Sequence, residues 1–276
     1  MSTKLRLSGL ILVLLVTATV GRAQSNQAGG PHEQMDAVLW VQHSAEYQAI
    51  ALQAFNQAHA ALAEALADPT WTAALEQTGD YGSLPPAVIL DVDETVLDNS
   101  PHQGWLIRDN TLYNSASWDR WVREERAEPV PGALEFCLFA TSQGVTVFYV
   151  TNRGDAHRKA TRINLRQAGF PLAEGRETVF TKGDNSDKGP RRADIAREFR
   201  ILLLIGDNSA DIASGFRSGD PMKRAALVKQ YADWWGRRWI MLPNPMYGSW
   251  EGALPGFDYS LDREGRLQAK RSALRD

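Results

Sequence analysis

The sequence predicts an α/β fold built on a mainly parallel sheet, and three observations carry that reading. Runs of branched aliphatic residues at 87–90 and 201–205, and of β-branched and aromatic residues at 145–151, read as buried strands. Stretches with helical spacing separate them, an alternation that belongs to parallel sheets. The first and third runs stop on acidic residues, Asp91 and Asp93 after one and Asp207 after the other. In open α/β sheets ligands bind at the carboxyl ends of the strands, so these carboxylates stand where a site is expected. With 276 residues and 43% hydrophobic composition, the chain can bury one substantial core and still carry a smaller insertion.

The amino terminus reads as an export signal. Lys4 and Arg6 precede an apolar run at 7–20, and Gly21-Arg22-Ala23 offers a small-residue cleavage point, so 1–23 is expected to be a signal peptide and 24–31 a polar linker. The run is too short to span a membrane comfortably. Cleavage after Ala23 removes Lys4, Arg6 and Arg22, taking the formal charge from −3 to −6. With 33 acidic against 30 basic residues and no polybasic tract, neither a nucleic-acid polymer nor an anionic membrane is an expected partner. Cys137 is the only cysteine, which excludes an intramolecular disulfide and a lipid anchor beside the cleavage point. It reads as a small buried hydrophobe within a helix.

From 33 to 67 the chain is Ala-rich with apolar residues at helical spacing, one long helix or two. His43, Glu46 and His59 lack the clustering of a metal site and read as helix-face residues. Leu84-Pro85-Pro86 breaks the chain just before the first strand. Between 101 and 128, Trp105, Tyr113, Trp118 and Trp121 alternate with arginines, which suggests an insertion covering the site. A helix at 131–142, the strand at 145–151, a basic helix at 155–168, a short strand at 177–181, a helix at 188–199 and the strand at 201–205 follow. A last strand is expected at 238–242, with a loop-rich tail from Pro243.

Three later strand ends or loops offer partners for Asp91 and Asp93. Thr151 and Asn152 supply a hydroxyl and backbone amides suited to phosphate oxygens, although taken alone they read better as a helix cap. Lys188 stands at a helix start, where a cation is unfavourable unless an anion shares the place, and Lys182 competes for that role. Asp207 and Asp211, four apart in Gly206-Asp207-Asn208-Ser209-Ala210-Asp211, form an acidic pocket of the Mg²⁺ kind.

In chain order these motifs resemble those of the haloacid dehalogenase (HAD) superfamily. Within it, L-D-V-D-E-T-V-L-D-N-S-P, W-x-x-W-V at 118–122, V-F-Y-V-T-N-R, I-G-D-N and I-M-L-P-N-P-M-Y-G-S-W-E-G are similar to the bacterial class C acid phosphatases, subfamily IIIB. The resemblance implies a three-layer α/β/α HAD-like (Rossmann-like) sheet over 32–276. It also implies a small, mostly α-helical cap drawn from the N-terminal helices, about 101–128 and part of the C-terminal tail.

The same resemblance implies a Mg²⁺-dependent acid phosphatase acting on small-molecule phosphomonoesters, with 5′-nucleotides as candidates. Asp91 would be the nucleophile and Asp93 the general acid and base. Asp91, Asp93 (through its carbonyl), Asp207 and Asp211 would hold the metal. Thr151, Asn152 and Lys188 would bind the phosphoryl group, with Trp118 and Tyr247 stacking on a flat leaving group. Lipoprotein members carry an anchoring cysteine that this chain lacks, so a soluble periplasmic or secreted enzyme without a stable membrane anchor is expected; a homodimer is left open. Phosphotransfer to an alcohol acceptor, or a non-catalytic exported binding protein on the same fold, are the alternatives. Asp98 reads as a cap or loop anchor.

Overall fold

The computed structural model describes residues 32–275. The signal-peptide and linker readings, 1–23 and 24–31, lie outside the described residues. Ser44 divides the Ala-rich stretch into α1 (Met35–His43) and α2 (Ala45–Ala67), because its hydroxyl accepts from the Tyr47 amide at 3.0 Å and starts a new helix. Tyr47, Ala51, Phe55, Ala58, Leu62 and Ala65 fall on one buried stripe of α2. Their steps of three and four residues bring them onto one face, and the alanines let the helix lie close to the sheet.

Pro86–Leu90 forms β1, the centre of a parallel five-stranded sheet in the order β5-β4-β1-β6-β7. Its other strands are β4 (Thr146–Gly154), β5 (Val179–Lys182), β6 (Arg200–Gly206) and β7 (Trp239–Met241). A two-stranded antiparallel pair, β2 (Leu97–Asp98) with β3 (Glu128–Pro129), brackets α3 (Ser100–Arg108) and α4 (Ser115–Arg123). The remaining helices are α5 (Ala133–Ser142), α6 (Arg158–Gln167), α7 (Gly189–Ala196), α8 (Ser209–Ile212), α9 (Pro221–Gln230) and α10 (Arg263–Ser272).

Alternation along β1 splits the interior in two. Val88 and Leu90 pack with Phe55, Leu62 and Phe136 on the α2 and α5 side, while Ala87 and Ile89 pack with Ile195, Phe199, Phe216 and Trp239 on the other. These four side chains are buried, and only Pro86 at the start of β1 is partly exposed. Each branched one contributes roughly 1.5–3 kcal/mol, so a one-residue slip, which would exchange the two faces, is strongly disfavoured. The predicted mainly parallel α/β layering is thereby borne out. At the start of α5, Gly132 has φ of +85°, and an added Cβ would stand 3.1 Å from Phe55 Cβ, so α2 and the α5 turn approach only because this residue is glycine.

Several boundaries differ from the sequence expectation. Strand β4 runs on to Gly154 instead of stopping at 151, since Arg153 is buried and Gly154 still pairs with Lys182. Helix α7 ends at Ala196, short of 199. The tail after Pro243 is not all loop: α10 forms there, started by Asp262, whose carboxylate accepts from the Gly265 amide at 2.9 Å. Only Ala269 of α10 is buried, and α9 has no buried residue, so neither helix leaves an apolar stripe in the sequence.

The chain runs outward from β1 through β4 to β5, then crosses back to β6 and β7. The reversal opens a crevice between the carboxyl ends of β1 and β6. Asp91 follows β1 and Asp207 follows β6.

Candidate active site

Asp91 emerges from β1 with its amide donating to the Ile205 carbonyl at 2.9 Å, which registers the loop against β6. One carboxylate oxygen accepts a short contact from Lys188 Nζ. The same ammonium lies 2.7 Å from Asp211 Oδ1. Lys188 is therefore buried and paired with two carboxylates, and is not a solvated lysine in a charged loop. The Gly189 amide at the same helix start is taken by Asp187 Oδ1 at 2.9 Å. Burial alone would lower the Lys188 pKa, but the Asp211 and Asp91 carboxylates outweigh it and hold the ammonium above its ordinary value.

Asp207 accepts from Thr95 Oγ1 at 3.0 Å and from Asn244 Nδ2 at 2.8 Å. Asp211 belongs to a capping box: Asn208 accepts from the Ala210 amide at 3.1 Å, and the Asn208 amide donates to Asp211 Oδ2 at 3.1 Å. The approach of Asp211 to the strand end needs Gly206, where a Cβ would lie 2.8 Å from Asp211 Cβ. Behind this group, fully buried Arg192 donates to the Asp211 carbonyl at 2.7 Å and pairs with Glu76 at 2.5 Å, tying α7 to α8.

Asp91, Asp207 and Asp211 each offer one oxygen, and these atoms lie within 4.8 Å of one another. Burial, only partly offset by the Lys188 ammonium and reinforced by the neighbouring carboxylates, pushes the Asp91 carboxyl well above the ordinary range. Burial and the Asp211 carboxylate raise Asp207 to about 7. Three carboxylates against one ammonium leave negative charge unbalanced in a low-dielectric place. A hard divalent cation with oxygen ligands fits that donor set.

Asp93 stands beside this cluster, one residue past the strand. Its Oδ1 accepts from Arg153 Nε at 2.9 Å and from Asn99 Nδ2 at 2.9 Å, and its Oδ2 lies 3.2 Å from Thr151 Oγ1. The turn that aims it is tight. The Val96 and Leu97 amides both donate to the Val92 carbonyl, and Glu94 takes a φ of 58°, a left-handed conformation costly for a side chain larger than glycine. Glu94 is held there by the Asn99 amide at 3.1 Å and by a short hydrogen bond from the Tyr247 hydroxyl.

A cavity of about 650 Å³ opens above these residues, walled by Gln103, Leu106, Tyr113, Trp118, Asn152, Tyr247 and Tyr259 among others. Asn152 reaches it from β4, with its side-chain oxygen accepting from Arg191 at 2.7 Å. Trp118, half-buried on α4, faces the guanidinium of Arg153 at 5.4 Å.

A family model described as HAD superfamily, subfamily IIIB (acid phosphatase) matches residues 16–250, most of the chain. The chain belongs to this family. The class C acid phosphatase from Bacillus anthracis has the same fold, with a TM-score of 0.80 and 31% identity over 89% of this chain and 98% of that one. A tungstate-bound structure of that enzyme gives 0.79 at the same identity. Acid phosphatase 1 of Solanum lycopersicum is 27% identical over 166 residues, and the stem 31 kDa glycoprotein of Glycine max 26% over 167. The chain spans 57% and 58% of the length of these two curated relatives.

Within this subfamily IIIB fold, all nine residues singled out from the sequence, Asp91, Asp93, Trp118, Thr151, Asn152, Lys188, Asp207, Asp211 and Tyr247, come together at one end of the sheet. Eight of them line the cavity, and Thr151 stands just behind Asp93. Lys182 is not among the lining residues, which removes it as the rival of Lys188. Asp98 is the expected anchor, accepting from the Ser100 amide at 2.7 Å. Sequence reasoning left Glu94, Asn99, Arg153 and Arg192 without roles. For Arg153 a signal existed: an arginine within an apolar strand must find a buried partner. Among the described residues no helix is long and apolar enough to cross a membrane.

Proposed function

We propose that this protein is a Mg²⁺-dependent acid phosphatase that hydrolyses phosphomonoesters through an aspartyl-phosphate on Asp91. One observation carries the reading: Asp91, Asp207, Asp211 and Lys188 converge at the β1–β6 crevice, with Asp93 directly beside them. The tungstate held by the Bacillus anthracis neighbour, a tetrahedral oxyanion like phosphate, is consistent with it.

In the first half-reaction an Asp91 oxygen attacks phosphorus, the bond to the leaving oxygen breaks, and that oxygen takes a proton from Asp93. In the second, Asp93 accepts a proton from water, the water oxygen attacks phosphorus, and Asp91 and inorganic phosphate are released. Lys188, with Thr151 and the Asn152 amide, neutralises charge on the phosphoryl oxygens as it builds. Mg²⁺, held by Asp91, Asp207, Asp211 and the Asp93 carbonyl, would neutralise the repulsion between an anionic carboxylate and an anionic phosphate. Helices α1, α3 and α4 with part of the C-terminal tail act as a cap over the crevice. The protein is read as exported, periplasmic or secreted.

Trp118 and Tyr247 are read as stacking partners for a flat leaving group such as a nucleoside. The Tyr247 ring is held in place through its hydroxyl on Glu94, so it can present a face without first being ordered. A panel comparing a nucleoside 5′-monophosphate with a small alkyl phosphate, with Mg²⁺ and with chelator, tests the reading. Turnover is expected only with the metal. Trp118→Ala is expected to cost the nucleotide roughly 10-fold in kcat/KM, within the range of a single stacking contact, and the alkyl phosphate little. Full activity in chelator would contradict the metal, and an equal loss for both substrates the stacking.

A further inference from the structure

We infer that Arg153 is a positioning residue that holds Asp93 by Oδ1 and so sets Oδ2 as the oxygen that works on the substrate. The inference rests on the reading of Asp93 as the proton carrier. Arg153 is buried, with its side chain 1% exposed, and makes a forked contact to Asp93 Oδ1 through Nε at 2.9 Å and Nη2 at 2.8 Å. Asn99 Nδ2 reaches the same oxygen at 2.9 Å.

The orientation of that amide is not free. Asn99 Oδ1 accepts from the Trp121 indole at 2.7 Å, and an indole nitrogen can only donate, so the Asn99 nitrogen must be the group turned to Asp93. Arg153 Nη2 also donates to Asn99 Oδ1 at 3.1 Å, and Nη1 to Thr161 at 3.2 Å. The guanidinium is thus held on four sides: by Asp93, Asn99 and Thr161, and by the face of Trp118.

These contacts treat the two oxygens of Asp93 differently. Every group on Oδ1 is an obligate donor, so a proton there would meet N–H groups and displace one of them. On Oδ2 the neighbour among the described residues is the Thr151 hydroxyl alone, which donates to it at 3.2 Å while accepting from the Arg153 amide at 3.0 Å, and a hydroxyl can turn to accept where an N–H cannot. Oδ1 is fully engaged by its N–H donors, which leaves Oδ2 as the oxygen able to give or take a proton during the reaction. In the first half-reaction the proton passes from Oδ2 to the leaving oxygen as the P–O bond breaks, and in the second Oδ2 recovers a proton from the attacking water. Arg153 touches no reacting atom in this scheme. It holds Oδ1 so that Oδ2 is the oxygen presented to the substrate.

The test is the dependence of kcat/KM on leaving-group basicity, measured with phenyl phosphates whose ring substituents run from electron-withdrawing to electron-donating. One ring shape throughout keeps stacking on Trp118 constant. Arg153→Gln is expected to steepen the dependence, losing about 10-fold or more extra on the most basic phenols, since only these need the proton. Arg153→Lys serves the same comparison should Arg153→Gln fail to fold. Asp93→Asn, run beside it, separates the two levels. A steep series for Asp93→Asn with a parallel, unsteepened series for the Arg153 variants would overturn the positioning role while leaving Asp93 as the acid. A flat series for Asp93→Asn would remove the acid role itself, and the inference with it.

Discussion

Replacing Asp91 by Asn is expected to abolish hydrolysis of a chromogenic phosphomonoester, with a loss on the order of 10⁵- to 10⁶-fold, the scale seen when a covalent nucleophile is removed. The protein should remain folded. The Asp91 amide keeps its bond to the Ile205 carbonyl, and Lys188 keeps Asp211. Taking one carboxylate from a group of three should leave the thermal midpoint of the metal-free protein unchanged or higher, since burial and its neighbours already disfavour the Asp91 anion. Initial rates and a thermal melt of the same purified sample check both parts. Substantial phosphatase activity in Asp91→Asn would contradict the assignment.

Asp207→Asn is expected to abolish the stabilisation produced by Mg²⁺ and to lower kcat by at least about 10³-fold, comparable with losing a principal electrostatic contact. The effect has a pH signature. Burial and Asp211 lift Asp207 from 3.8 to about 7, so the folded state holds this proton more tightly than the unfolded chain does. Without metal, Asp207 makes folding progressively less favourable as pH rises through the window from 3.8 to about 7. A cation that binds the deprotonated form reverses this penalty. The rise in thermal midpoint on adding Mg²⁺ should therefore be larger at pH 7 than at pH 5 in the natural protein, and absent at both in Asp207→Asn. An equal rise at the two pH values, or one that survives the substitution, would contradict the role.

The parts of the fold legible in the sequence are those whose signal is local. β1 and β6 are runs of branched aliphatic residues and β4 of β-branched and aromatic ones, their centres buried on both faces, and their acidic or hydroxyl ends mark the site without any knowledge of pairing. α9 and α10 are polar helices begun by Asp220 and Asp262, and with almost nothing buried they carry no periodicity to read. The same limit governs the site. Asp91, Asp207 and Asp211 announce themselves by position after strands, whereas Glu94, Asn99 and Arg153 matter through contacts made across 5 to 153 residues of chain. Lys188 shows the difference most clearly. Its place at a helix start pointed to a neighbouring anion, and the fold adds that Asp91 and Asp211 stand against its ammonium.

The central claim is that phosphorus is attacked twice, first by Asp91 and then by water. Each in-line attack inverts the configuration at phosphorus, so the stereochemical course of hydrolysis of an isotopically chiral phosphorothioate monoester in isotopically labelled water tests the claim whether or not the intermediate accumulates. Net retention in the product thiophosphate is the expected result. Net inversion would mean a single direct attack by water and would contradict it.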